Sequence, residues 1–242
     1  MASSPTDTRA HPALPPVRTV RVNGLRLAYR TWGEEHGTAP VVLVHGRTAD
    51  SGDWAGIARA LAGRRRVVAL DQRGHGRSDR PGTYTLPAFR DDLGGFLTAL
   101  GLTGADVVAH SMGGFAASLL AQEAPDLVAR LVLEESPPLL PFDPPRPPAV
   151  RPPGELGFDW ALVPAVDAAL NAPDPAWFEG LVRIRARTLV VAGGPDSPFP
   201  QQWFVRQAAR VPGAELVTIR AGHLVHTTRP REFLAALADF GI

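Results

Sequence analysis

The sequence predicts an α/β protein, with a mostly parallel central sheet of about eight strands, flanking helices and a short proline-rich lid insertion. Strand-like apolar runs alternate with segments of helical spacing along most of the chain. Asn23-Gly24 separates two of the strand-like runs and is a hairpin signal, because both residues tolerate positive φ. A stretch rich in proline then interrupts the alternation and indicates an inserted segment.

Each predicted strand is a short apolar run bounded by turn residues. The opening hairpin pairs residues 17–22 with 25–31, and the Val-Val-Leu-Val run within 39–45 is typical of a strand buried on both faces. The remaining strands are predicted at 66–70, 106–109, 131–134, 188–192 and 215–219.

Helices are predicted where apolar residues recur at helical spacing between these strands. In residues 86–100 the apolar stripe includes Phe89, Leu93 and Phe96, and Pro87 suits the first turn. The other core helices are predicted at 54–62, 112–123, 201–210 and 230–240.

The proline-rich segment divides the chain into parts. Nine of the seventeen residues from Pro137 to Pro153 are proline, too many for a helix or a central strand. Inserted segments of this length are usually functional lids or linkers. The predicted parts are a disordered tail at 1–16, a core domain at 17–135 and 182–242, a lid at 136–181, and two short lid helices at 158–171 and 174–181.

The composition excludes several kinds of chemistry. All 25 basic residues are arginine, and the chain contains no cysteine and no lysine. A chain without cysteine has no disulfide, zinc–thiolate site, iron–sulfur cluster or cysteine nucleophile, and one without lysine forms no Schiff base. The 24 acidic residues nearly cancel the arginines, so the net charge of +1 gives no basic excess for binding nucleic acid.

The sequence indicates neither a membrane span nor a signal peptide. No apolar run reaches the ~18 residues of a transmembrane helix, and residues 1–16 lack the apolar centre of a signal peptide. We therefore expect a cytoplasmic protein, monomeric or homodimeric, whose partner is a small-molecule substrate rather than nucleic acid or a membrane.

A serine stands where a buried strand meets a helix, within Val-Val-Ala-His-Ser-Met-Gly-Gly at residues 107–114. A nucleophile elbow has this context, and its turn is so tight that the residues two before and two after the serine must be small. Ala109 and Gly113 meet that requirement, although the commonest form has glycine at both positions. Ser111 is therefore a candidate nucleophile.

From residue 17 to the end, the chain resembles the α/β-hydrolase fold superfamily, and within it the branch with a serine nucleophile. The lid is the part least matched. The resemblance implies the order serine, acid, histidine along the chain. It rests on His45-Gly46 after a strand, the Asp-Gln-Arg-Gly-His-Gly-Arg-Ser-Asp run at 71–79, the elbow at Ser111, Gly-Pro-Asp at 194–196, and Gly222-His223 followed by Pro230 and Phe233.

A serine hydroxyl needs a general base within hydrogen-bond distance and a third group that holds the tautomer of that base. By the resemblance, His223 is the base, on the loop after the eighth predicted strand, and Asp196 is the acid, on the loop after the seventh. His226 remains an alternative base. Glu135 remains an alternative acid, because some relatives place the acid after the sixth strand.

The resemblance also implies an oxyanion hole formed by the backbone N–H groups of Met112, directly after the nucleophile, and Arg47, directly after His45-Gly46. Because this role uses only the amide of Arg47, its side chain is free to pair with a substrate carboxylate or with Asp50. The predicted substrate-binding residues are apolar side chains in and near the lid: Phe142, Phe158, Trp160, Trp177, Phe178, Phe199 and Leu224.

The sequence supports neither a dinucleotide site nor a metal site. Gly74-His75-Gly76 lacks the third glycine of a dinucleotide fingerprint. The chain has no His-Glu-x-x-His motif, and His223 with His226 cannot alone complete a set of metal ligands. We therefore predict no metal and no cofactor.

Together these residues predict a cofactor-independent serine hydrolase that cleaves a small or medium-sized carboxylic ester, lactone or thioester through an acyl-enzyme. Three alternatives use the same triad. They are a biosynthetic acyl transferase or cyclase, a cofactor-free perhydrolase, and a receptor-like member of the fold that binds a ligand with little turnover.

Overall fold

The computed structural model describes residues 13–242, so most of the tail predicted at 1–16 lies outside the described residues. The strands are β1 Arg18–Val22, β2 Leu25–Trp32, β3 Val41–Val44, β4 Val67–Asp71, β5 Ala105–His110, β6 Val128–Glu134, β7 Arg187–Ala192 and β8 Glu215–Thr218. The helices are α1 Ala55–Leu61, α2 Leu86–Ala99, α3 Met112–Glu123, α4 Leu162–Asn171, α5 Pro175–Glu179, α6 Gln201–Arg210, α7 Val225–Thr228 and α8 Pro230–Asp239. Within 13–242, no helix is both long and apolar enough to cross a membrane.

All eight strands belong to one sheet, in the order β1-β2-β4-β3-β5-β6-β7-β8. β2 is antiparallel to both of its neighbours, and the other pairings are parallel. This confirms the predicted sheet of eight mostly parallel strands flanked by helices. Because parallel strands end at one edge of the sheet, the residues that follow β3, β5, β6, β7 and β8 can meet there.

Apolar side chains cover both faces of the sheet. Leu93 of α2 belongs to the same buried cluster as Val107 of β5, whereas Phe233 of α8 belongs to the cluster that contains Val108. Successive strand residues point to opposite faces, so β5 contributes to both clusters and is fully buried. The residue that follows β5 is therefore held by a strand packed on both sides.

The predicted helix at 86–100 forms as α2 despite Gly94 and Gly95 in its middle, where glycine is unfavourable. A Cβ at position 95 would lie 2.5 Å from Cγ1 of Val22, and one at position 94 would lie 3.0 Å from Cδ1 of Leu120. The two glycines therefore let α2 approach β1 and α3 closely.

The segment predicted as a lid packs on the core through α4. Leu162, Val166 and Leu170 of this helix share an apolar cluster with Phe89 and Phe115 of the core. α4 begins later than predicted, because Phe158 pairs with His75 in an isolated β-bridge and the Asp159 carboxylate accepts a hydrogen bond from the Ala161 N–H at 3.0 Å in the turn that follows. The division of the chain into core and lid stays a prediction.

Candidate active site

Ser111 lies between β5 and α3 with a φ of +49°, which residues with a side chain rarely adopt. The turn is tight, because a Cβ at Gly113 would lie 2.5 Å from the carbonyl oxygen of His45. Three other described residues with a side chain have positive φ: Asn23 lies in the hairpin between β1 and β2, whereas Thr48 and Glu135 lie beside Ser111. Backbone strain is thus concentrated around this serine, as is common at functional sites.

A chain of hydrogen bonds joins Ser111 to a buried carboxylate. Oγ of Ser111 lies 3.1 Å from Nε2 of His223, and Nδ1 of His223 lies 3.3 Å from Oε2 of Glu135. The Glu135 carboxylate also accepts hydrogen bonds from the backbone N–H of Gly193 at 2.5 Å and the hydroxyl of Ser197 at 2.6 Å. These donors hold the carboxylate in place beside the imidazole. The geometry fits the tautomer of His223 whose Nδ1–H donates to Glu135 and whose Nε2 accepts from Ser111.

The structure does not bring the Asp196 carboxylate to this histidine, and Glu135, the alternative acid, lies there instead. Which of the two serves as the catalytic acid stays a prediction. Asp196 is exposed on the loop after β7, and in the part of the chain that the structure describes no hydrogen bond joins it to His223. The physical reason is strand register. The last residues of β5 and β6 are paired, so Ser111 and Glu135, which follow them, leave neighbouring strands side by side. Asp196 follows β7, which lies on the far side of β6 from β5 in the sheet.

The backbone N–H groups of Arg47 and Met112, the predicted oxyanion donors, have no acceptor among residues 13–242. Met112 is the first residue of α3, where a helix leaves its N–H groups unpaired. Arg47 follows β3, which pairs with β5. Both residues border the same cavity as Ser111. Their role as an oxyanion hole stays a prediction.

Ser111 and His223 line a cavity of about 280 Å³. Its walls come from the loops after β3 and β7, from α3, and from the segment that contains α4. Of the predicted substrate-binding residues, Phe199 lines this cavity, and the sequence did not point to the lining residues Arg146, Val166 and Leu170. The other lining residues are Arg47, Thr48, Met112, Phe115 and Pro198.

The remaining predicted substrate-binding residues do not line this cavity, so their part in binding stays a prediction. Phe142 packs behind the cavity wall, with its ring centroid 6.1 Å from that of Phe199. A short inserted segment needs its large side chains for its own packing, so they fill the apolar clusters around α3 and α4. Leu224 is instead 46% exposed. The residues that pack into those clusters are Phe158, Trp160, Trp177 and Phe178.

His226, the alternative base, belongs to a separate buried network. Its Nδ1 lies 2.9 Å from the Glu134 carboxylate and its Nε2 lies 3.2 Å from Oδ2 of Asp53. The ring of Trp54 stacks on it with centroids 4.1 Å apart. Burial opposes the charged form, but the two carboxylates outweigh it and raise the pKa of His226 to about 9. His226 is thus a buried cation outside the cavity.

His110 connects this network to the cavity. Its ring centroid lies 4.6 Å from that of His223 and 5.3 Å from that of His226. Burial lowers the pKa of His110 to about 4, so the ring is neutral near pH 7. Its Nε2–H donates to the backbone carbonyl of His223 at 2.8 Å. His110 therefore holds the loop that carries His223 next to Ser111.

No motif in the sequence predicted this network. One signal was available, because Glu134 and Glu135 are consecutive acidic residues at the end of a buried strand, where each carboxylate requires a partner. Glu134 pairs with His226 and Glu135 pairs with His223, and these two histidines are three residues apart in the sequence.

Because His226 is a buried cation, we expect the stability of the fold to decrease as the pH rises into the alkaline range. The folded-state pKa of His226 lies above its ordinary value of 6.5, so its contribution is full below pH 6.5 and is lost as pH rises through about 9. We expect the free energy of unfolding to fall by an amount on the order of 3 kcal/mol across that interval. Urea unfolding at a series of pH values measures it. Asp53→Asn removes one of the two carboxylates and should make the fall shallower; an identical fall in this variant would contradict the assignment.

Comparisons with known proteins agree with this architecture. An uncharacterized protein of Mycobacterium tuberculosis is 38% identical over 121 residues, which cover 49% of this chain and only 35% of that protein. An sn-1-specific diacylglycerol lipase of Mus musculus is 26% identical over an alignment of 270 residues, which covers 89% of this chain and 85% of the lipase. The solved structure of Est816, described as an N-acyl homoserine lactone degrading enzyme, matches with a TM-score of 0.74 and 28% identity, covering 92% of this chain and 100% of that one.

A family model for the alpha/beta hydrolase fold matches residues 39–165, which is more than half of the chain. The matched region contains β3 through β6, the turn at Ser111, Glu135 and the start of α4. With the sheet order and a structural match over 92% of the chain, this identifies the fold as well as the family. The chain belongs to the α/β-hydrolase fold family.

Proposed function

We propose that this protein is a serine hydrolase that cleaves a small or medium-sized carboxylic ester, lactone or thioester through an acyl-enzyme intermediate. The observation that carries the proposal is the series of hydrogen bonds from Glu135 through His223 to Ser111, which ends at a cavity large enough for a small substrate. A serine becomes nucleophilic at neutral pH when a base and an orienting carboxylate are arranged in this way.

In the first half-reaction, Oγ of Ser111 attacks the carbonyl carbon while Nε2 of His223 takes the hydroxyl proton. Glu135 accepts the Nδ1–H bond and stabilises the imidazolium as it forms. The tetrahedral intermediate carries a negative oxygen, and the free N–H groups of Arg47 and Met112 are its donors. Each such donor is worth about 3 kcal/mol of barrier. The C–O or C–S bond breaks when His223 returns its proton to the leaving group.

In the second half-reaction, water replaces the leaving group. His223 takes a proton from the water, the hydroxide attacks the acyl carbon, and the Ser111 oxygen leaves with the proton returned by His223. The products are a free acid and the enzyme in its starting state. His110 serves both halves, because its hydrogen bond to the His223 carbonyl keeps the imidazole over the serine.

The size of the cavity and the relatives support this substrate class. A volume of about 280 Å³ is at the small end of ligand pockets, which favours a compact acyl group. The name of the mouse relative gives its substrate as a diacylglycerol, which is a glycerol ester, and Est816 is described as degrading a lactone. Both are carboxylic esters, so the same Ser111 chemistry serves either.

The test is to label the protein with a fluorophosphonate and to map the adduct by peptide mass spectrometry, alongside a panel of 4-nitrophenyl esters, lactones and acyl thioesters. We expect the adduct on Ser111 and release of free acid from at least one class. An adduct without turnover of any substrate would instead support a receptor-like protein. Acyl transfer to an added amine or alcohol in place of acid would support a transferase, and peracid formation with peroxide would support a perhydrolase.

A further inference from the structure

We propose that the cavity beside Ser111 contains an anion-binding subsite, formed by Arg47 and Arg146, which selects esters or lactones that carry a carboxylate. The inference rests on the proposed function and narrows its substrate class. Two guanidinium groups border a cavity of about 280 Å³, and none of the described residues that line it is acidic. Such a pair is unusual in a pocket meant for an apolar acyl chain, because charged side chains there lose hydration that the chain cannot replace.

The Arg47 side chain comes from the loop after β3 and is largely buried, with 24% of it exposed. Its NH1 donates to Oδ1 of Asp167 at 2.7 Å. Within residues 13–242 this is the one hydrogen bond that the guanidinium makes, so its other N–H donors have no protein acceptor. A guanidinium has five donors in a planar fork that matches a carboxylate.

Arg146 reaches the same cavity from the proline-rich segment, and its backbone is fixed. Its N–H donates to Oδ1 of Asn171 at 2.8 Å, and the Asn171 side-chain amide donates back to the Arg146 carbonyl at 3.1 Å. The guanidinium lies 5.2 Å from the centroid of the Phe142 ring, and its Nε lies 3.4 Å from Oδ1 of Asp167. A side chain at the edge of a loop is thereby held in position before any ligand arrives.

Asp167 of α4 is the link between the two arginines. It is buried, and the same oxygen, Oδ1, faces both guanidinium groups. One carboxylate balances one of the two positive charges, so the cavity wall keeps an excess of one positive charge. A substrate carboxylate would supply the missing charge and accept the unused N–H donors. We name a carboxylate rather than a phosphate ester because the small cavity must also admit the carbonyl that Ser111 attacks.

The experiment compares 4-nitrophenyl glutarate with its neutral methyl ester, which differ in the charge at the end of the acyl chain. We expect kcat/KM, after subtraction of the rate without protein, to be about tenfold higher for the charged ester. Arg146→Gln should lower this charged-to-neutral ratio about tenfold. Arg151→Gln is the matched control, because Arg151 is exposed in the same segment and lies outside the cavity, and it should leave the ratio unchanged.

A charged-to-neutral ratio at or below one for the natural chain would overturn the inference. An equal loss of kcat/KM on both esters in Arg146→Gln would also overturn it, because such a loss indicates that the arginine only holds α4. Calorimetric titration with glutarate tests the subsite without turnover, and binding weakened about tenfold by Arg146→Gln supports it. Glutarate that does not bind overturns the subsite. Binding of glutarate without cleavage of either ester would support the subsite and contradict the proposed hydrolase activity.

Discussion

Replacing Ser111 with alanine is expected to lower kcat for a 4-nitrophenyl ester by about 10⁶-fold. Alanine removes the oxygen that attacks the carbonyl, and His223 then has no proton to accept from the protein. The amide donors of Arg47 and Met112 remain, so slow hydrolysis above the rate in buffer should persist. Steady-state release of nitrophenol measures the loss, and the fluorophosphonate adduct should disappear with it.

Ser118→Ala provides the matched control. Ser118 is also buried, lies in α3 only two turns from the nucleophile, and does not line the cavity. Its removal should leave kcat within about twofold, because substitutions away from the reacting atoms seldom change the barrier. The combined change Ser111→Ala with His223→Ala should cost no more than Ser111→Ala alone, since the two side chains act as a unit. Activity near the natural level in Ser111→Ala would refute the nucleophile assignment.

The centre of the sheet could be predicted because β3, β4 and β5 are buried on both faces and therefore appear as short, mostly apolar runs. The hairpin at Asn23-Gly24 forms as expected, with Val22 paired to Leu25. Helix ends were less well defined in the sequence. The start of α4 depends on Asp159, whose carboxylate bonds to the Ala161 N–H, and a contact of this kind competes with helix formation without changing the apolar pattern.

The site was predictable only in part, for physical reasons. Ser111 and His223 sit next to chain segments with strong local signals, a tight turn and the loop after the last strand. Which carboxylate lies against His223 depends on which strand lies beside β5, and that is a property of sheet order and register that no local pattern contains. The cavity wall is likewise set by tertiary packing, because Arg146 and Val166 reach it from the irregular segment and α4, whereas the aromatic residues of the same segment are used in packing.

Replacing Glu135 with glutamine is the sharpest test of the acid, and we expect kcat to fall by about 10⁴-fold with little change in KM. The side-chain amide is isosteric with the carboxylate and can still accept from Gly193, so the fold should be retained. However, its NH₂ group would donate to Nδ1 of His223, which places the imidazole proton on Nε2. The nitrogen that should accept the Ser111 proton then carries one, and the base is lost.

Asp196→Asn is the paired variant, because it makes the same chemical change at the exposed carboxylate on the loop after β7. It should leave kcat within about twofold, since no hydrogen bond to His223 is at stake. Ser197→Ala removes one of the two donors that hold the Glu135 carboxylate and should give an intermediate loss, of about tenfold. Thermal unfolding of each variant separates these effects from lost stability. A large loss in Asp196→Asn together with a mild one in Glu135→Gln would return the acid to the loop after β7. The register of β5 and β6 argues against that result, because it sets Glu135 directly beside the nucleophile.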